Sequence, residues 1–272
     1  MRRLRRSLLS ATTRVLTRPR RSYHHILPID PVVLRATLRR GDVLLVEGDQ
    51  RVSEVIKYLT QSSWSHAALY VGDELWRRHP AERSALEARH GEDARHLVVE
   101  ALMEEGVVAS PLAKYATHNL RVCRPRGLRP DHCQRILDEV LAQLGARYGV
   151  RCALALARYF FPVSVIPRRW RHEAIARGGA LTTQMVCSTL IARAFHNVGF
   201  PILPAVTPPP DGPLDVQRWI RWLRREPYPH LFHREVTALT TPRDFDLSPY
   251  FEVVKVTTVA ARTFDYRRIR WA

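Results

Sequence analysis

The chain has 272 residues, 46% of them hydrophobic, enough for a sizeable core in one large domain or two small ones. Lys and Arg outnumber Asp and Glu by 43 to 26, a formal charge of +17, so phospholipid headgroups, polyanionic cell-wall polymers or nucleic acid would attract it. No zinc-finger spacing, RNP-like aromatic pattern or helix-turn-helix signature accompanies the charge, and no apolar run approaches the roughly 20 residues of a membrane span; sequence-specific nucleic-acid binding and a transmembrane helix are therefore not expected.

Residues 1–23 form a basic arm with eight arginines and no acid. Its apolar stretch is too broken for a secretory signal, which leaves a cleaved or disordered leader, or an amphipathic helix lying on an anionic membrane. Residues 24–272 are expected to be one domain. A short helix near Asp30 to Leu38, a Gly41-Asp42 turn and a strand from Val43 to Val46 open it. Val52, Val55, Ile56 and Leu59 then recur at helical spacing, and "SHAALYVGD" follows as a strand. Glu74 to Arg95 is a charged insertion, helical in part; "HLVVEAL" is a strand; "GVVASPLAKYATH" is a turn, a short strand and a loop; "LRVCRP" is another strand. Asp131 to Leu144 has a helical apolar face and stops at Gly145. Residues 146–179 mix aromatics with arginines. "LTTQMVCSTLIARAFHNVGFP" predicts a helix capped by Thr182 or Thr183, with Cys187, Leu190, Ile191, Ala194 and Val198 on one face and a stop at Gly199. "PILPAVTPPPDGP" is a rigid loop, and "TPRDFDLSPYFEVVKV" is expected to be core strand.

The chemistry rests on a few side chains. Cys123, Cys133, Cys152 and Cys187 fall at irregular spacings without a CxxC, so neither a zinc site nor a disulfide framework is indicated, and no metal or cofactor is expected. A reduced, cytoplasmic setting fits, with peripheral attachment to the inner membrane face if the arm binds lipid. Cys187 is expected near the start of its helix, where the exposed N–H groups and the macrodipole favour a thiolate; a cysteine that simply packs is the alternative. His66 opens its strand with Ala68 and Tyr70 on the same face, and is either a half-exposed strand histidine or the base of that thiol.

Four segments in this order, "GDVLLVEGDQRVSEVIKYLTQSSWSHAALYVGD", "VVEALMEEGVVASPLAKY", "MVCSTLIARAF" and "TPRDFDLSPYFEVV", resemble the YiiX/YebB-like branch of the permuted NlpC-type, papain-like cysteine hydrolases. The likeness runs from about Arg40 to Val256, and in this branch the histidine precedes the cysteine. It implies an α+β, circularly permuted papain-like fold: a helix bearing the nucleophile packed on a small antiparallel sheet. It further implies Cys187 as nucleophile, His66 as base and Glu100 as the group that orients the imidazole, with a thioester intermediate. The Cys187 N–H and the Tyr70 hydroxyl are the candidate oxyanion donors. Gly149 departs from the resemblance, since an acid often follows the tyrosine of the "LGxxY" segment, here Tyr148. The expected activity is thiol-dependent hydrolysis or acyl transfer at an amide, isopeptide or ester bond, on a peptide-type or a lipid substrate. The alternative is a catalytically idle module that binds a membrane surface or a polyanion. Oligomeric state is left open.

Overall fold

The run Val43-Leu44-Leu45-Val46 has no polar alternation because both faces of its strand are buried. Val43 and Leu45 join one hydrophobic cluster, Leu44 and Val46 another on the opposite side. The structure, a computed structural model, describes residues 29–102, 105–146, 181–203 and 240–256. The basic arm, residues 147–180 with Cys152 and Gly149, and the proline-rich loop from residue 204 lie outside the described residues.

Helix α1 (Pro31–Thr37) starts where Asp30 accepts the Val32 N–H at 2.8 Å and proline occupies the first turn. Strand β1 (Val43–Glu47) and helix α2 (Arg51–Thr60) follow, then strand β2 (His66–Gly72). The charged insertion is helical in pieces: α3 (Glu74–Arg78), a 3-10 turn (Pro80–Glu82), α4 (Arg83–His90) and a second 3-10 turn (Gly91–Arg95). Trp76 holds the insertion together, with the Arg83 guanidinium 3.9 Å and that of Arg95 4.2 Å from its ring centre. Strands β3 (Leu97–Leu102) and β4 (Gly106–Pro111), a 3-10 turn (Leu112–Tyr115) and strand β5 (Asn119–Pro125) complete the central part.

Helix α5 (Pro130–Leu141) ends three residues before the sequence-based stop, and the turn through Gly145, at φ 80°, hands the chain on. Helix α6 (Leu181–Asn197) carries Cys187, and its predicted apolar face of Cys187, Leu190, Ile191, Ala194 and Val198 is buried. The segment expected to be core strand is only partly so. Pro242–Leu247 forms helix α7, because Thr241 and Asp244 make a reciprocal capping box and proline fits the first turn; Phe251–Val254 is strand β6 at the sheet's edge, with Glu252 and Val253 exposed.

The six strands form one sheet in the order β4-β3-β2-β1-β5-β6, every neighbouring pair antiparallel. Helices α5 and α6 pack together, and α6 lies across β2 and β3 on one face. That face buries Val43, Leu45, Ala67, Leu69, Leu97, Val99 and Cys123 against Ile136, Val140, Leu190, Ile191 and Phe195. The opposite face buries Leu44, Ala68, Tyr70 and Val98 with Leu34, Leu112 and Tyr115. This is the helix-on-sheet α+β arrangement expected from the sequence. Among the described residues no helix is long and apolar enough to cross a membrane.

Phe195 joins the last elements to α6, with ring centres 5.4 Å from Phe200, 6.4 Å from Phe245 and 5.3 Å from Phe251. Phe195→Ala is expected to cost about 3–5 kcal/mol, because this fully buried ring leaves a cavity shared by α6, α7 and β6. Urea unfolding of the variant against the parent measures it.

Candidate active site

His66 owes its position to the residues before it. The Trp64 indole donates to Asp246 at 2.9 Å, and the Arg121 guanidinium stacks 5.0 Å from the centre of the Trp64 ring while pairing with the same aspartate. Ser65 donates its N–H to the Val46 carbonyl at 3.1 Å, and its hydroxyl accepts the Gly48 N–H at 2.9 Å. The start of β2 is thus fixed against β1 and α7, and His66 projects at the sheet's end.

Its Nε2 lies 2.7 Å from Oε2 of Glu100. Glu100, on β3, is fully buried, a costly place for a carboxylate unless its oxygens are all taken up. They are. Oε1 accepts from the Lys114 ammonium at 2.6 Å, and Oε2 is shared by His66 and the Tyr115 hydroxyl. Burial alone would raise this carboxyl, but the His66 and Lys114 contacts hold it well below the usual carboxylate range.

Cys187 reaches the histidine from α6. Its sulfur hydrogen-bonds the His66 side chain and accepts the backbone N–H groups of Ala67 and Ser188. With Nε2 on Glu100, Nδ1 is the ring nitrogen left for the sulfur. Ala67 can turn its N–H this way because β2 pairs with β3 only from Leu69 onward, while the alternate N–H groups of β2, such as that of Tyr70, point to β1. Ser188 anchors the helix behind the thiol, its hydroxyl donating to the Thr240 carbonyl at 2.6 Å.

The electrostatics follow. Burial pushes the Cys187 thiol up, yet the adjacent imidazolium and the two N–H groups bring it below its ordinary range. Burial likewise pushes His66 down, but the thiolate and then Glu100 raise it to about 10. Each contact thus favours the charged form of the other partner, the thiolate beside the imidazolium.

The structure brings together three of the four side chains singled out in the sequence. Tyr70 is the correction: it shares a strand face with His66 but lies a further turn of the pleat beyond Ala68, and its hydroxyl is 2.9 Å from Nδ1 of His96. The tyrosine beside the site is Tyr115. Cys187 itself falls in the second turn of a helix that begins at Leu181, so the lowered thiol rests on His66 and local N–H groups rather than on the helix terminus expected from the sequence. Its own N–H, like that of Ser188, belongs to the body of the helix rather than to its exposed first turn. Lys114, Tyr115 and Ser188 were not singled out; the first two sit in a segment that reads as loop after Pro111. Cys123 and Cys133 are free thiols, Cys123 raised by burial to about 12. Among the described residues no group of three or more His, Cys, Asp or Glu is placed to hold a metal ion.

A helix-borne thiol, a strand histidine and a buried glutamate, in the chain order His, Glu, Cys, define a permuted papain-like arrangement. Residues 37–160 match the family model described as permuted papain-like amidase enzyme, YaeF/YiiX, C92 family. The YiiX-like resemblance is thereby borne out, and with it the kind of activity, an amidase or peptidase-like hydrolase. The matched stretch holds His66 and Glu100 and ends before Cys187. A solved structure, that of the metalloprotein yiiX from Escherichia coli O157:H7, is similar at 15% identity and a TM-score of 0.44, over 81% of this chain and 98% of that one. No curated protein matches the chain.

Iodoacetamide is expected to alkylate Cys187 in the parent from below the ordinary thiol range, with a plateau that lasts until His66 deprotonates near pH 10. In His66→Ala burial is opposed only by the Ala67 and Ser188 N–H groups, so the thiol rises and alkylation at pH 6 should fall by about tenfold for each unit of that rise. Peptide mapping by mass spectrometry reads the modified site.

Proposed function

We propose that the protein is a thiol-dependent amidase in which Cys187 is the nucleophile, His66 the acid and base, and Glu100 the group that orients and charges the imidazole. The observation that carries this is the unbroken hydrogen-bonded chain from the Cys187 sulfur through His66 to the buried Glu100. Three separate elements supply it, and each member's protonation state suits the task.

In this reading the thiolate adds to the substrate carbonyl, and the oxyanion meets the Ala67 N–H, which already faces the sulfur. The C–N bond breaks as the imidazolium gives its proton to the leaving amine, which leaves a thioester on Cys187. His66, now neutral, takes a proton from water; the hydroxide equivalent adds to the thioester, and the acid product leaves as the thiolate–imidazolium pair is restored. Glu100 does not change its protonation state. It keeps Nε2 protonated and directs Nδ1 at the sulfur. An amide is favoured over a lipid ester because the matching family is described as amidase.

Hydrolysis of a panel of peptide and acyl amides, with fatty-acyl esters alongside, tests it. Cys187→Ala should lower amide turnover by about 10³-fold or more with an unchanged circular dichroism spectrum. Glu100→Gln, which keeps the shape and removes the charge, should lower it by about 10²-fold or more. Turnover confined to esters would move the substrate class to lipids, and full activity in Cys187→Ala would remove the thiol from the mechanism.

A further inference from the structure

The family resemblance and the triad leave one feature unused: the two consecutive side chains that close around the far side of Glu100. The turn Leu112–Tyr115 is pinned in place. Its Leu112 N–H donates to the His96 carbonyl at 2.9 Å, its Ala113 N–H to Oδ2 of Asp93 at 2.9 Å, and Leu112 and Tyr115 are buried in the cluster beneath the sheet. This anchoring leaves neighbouring residues pointing two ways at one carboxylate. Lys114 reaches Oε1 at 2.6 Å from the surface side, its side chain 38% exposed, and Tyr115 donates to Oε2 from inside.

We infer that Lys114 and Tyr115 are positioning residues that hold Glu100 as an oriented anion, so that the His66 imidazolium keeps its partner into the acidic range. This rests on the Cys187–His66–Glu100 reading above. A lysine in an exposed ion pair does little, since solvent screens both charges. Here one partner is fully buried, and removing the lysine leaves the carboxylate with only His66 and the Tyr115 hydroxyl against its desolvation, which favours taking up a proton. Protonated Glu100 would no longer favour the charge on His66, and the thiolate would lose its counter-ion.

The titratable groups that face Glu100 are His66 from β2, Lys114 and Tyr115 from the turn, and Cys187 of α6 through His66; its β4 partner, Val108, is apolar. His118 lies beyond Tyr115, ring centres 5.7 Å apart. Of these, Lys114 alone brings a cation to Glu100 without also titrating with the thiol. The sign is therefore fixed. Losing Lys114 raises the Glu100 carboxyl, and the thiolate–imidazolium pair fails at a higher pH than in the parent.

The test is the pH profile of Cys187 alkylation by iodoacetamide in the full chain, read by mass spectrometry, for the parent, Lys114→Met, Lys114→Arg and Tyr115→Phe. The acid limb is expected to move up by about one unit in Lys114→Met, to return toward the parent in Lys114→Arg, and to move the same way in Tyr115→Phe, which deletes a single oxygen atom. A lower plateau with an unmoved limb in both Lys114→Met and Tyr115→Phe overturns the inference, because it marks a packing role only. A parent whose Cys187 reacts only in the ordinary thiol range overturns the thiol reading itself, and is distinguishable because it appears before any substitution is made.

Discussion

A carboxylate with no exposure to solvent is the constraint around which this molecule is arranged. Glu100 sits in the middle of β3, where period-two alternation would otherwise place an apolar residue against the second core. Its charge is tolerable only because three donors from two other elements converge on its two oxygens. Each donor then has a fixed place: His66 at the mouth of β2, and Lys114 and Tyr115 on a turn that cannot drift from the sheet. The thiol meets a histidine whose orientation has been settled from behind.

The two-sided sheet makes this possible. Helix α6 covers one face and the smaller cluster under Leu34 and Tyr115 covers the other, so the central strands β1, β2 and β3 are buried on both sides. His66 stands where β2 parts from β3, and from there it can reach Glu100 on one side and the sulfur that arrives with α6 on the other. The same parting frees the Ala67 N–H for the sulfur. A β2–β3 ladder continued to the end of the strand would have consumed that donor.

His66, Glu100 and Cys187 could be read from the chain because each lies within a short apolar motif whose order matches a known pattern. Face parity also suggested Tyr70, and failed for a simple reason. Parity fixes which side of a strand a residue points to, whereas four residues at about 3.3 Å each carry Tyr70 roughly 13 Å along it, into the company of His96. Lys114 and Tyr115 were hidden because a 3-10 turn after a proline has no periodicity to reveal which side chains turn inward. Helix α7 was hidden differently. The segment "TPRDFDLSPYFEVVKV" reads as core strand, although Thr241, Pro242 and Asp244 spell a capped helix start. Thr182 and Thr183 look like caps for α6, but the helix begins before them, at Leu181.

The chain order of the site has a consequence for how the protein comes into being. A ribosome delivers β1 to β5 first, and this stretch, with the turn before β5, already contains His66, Glu100, Lys114 and Tyr115, so all the donors to the carboxylate are made before Cys187. At about 5–20 residues per second, Cys187 emerges roughly 4 to 17 seconds after Glu100. Ser188 then waits for Thr240 to supply its carbonyl, nearer the end of the chain. The nascent polypeptide therefore holds His66 and Glu100 before Cys187 has been made, and the cluster is complete only once α6 has been added to the sheet.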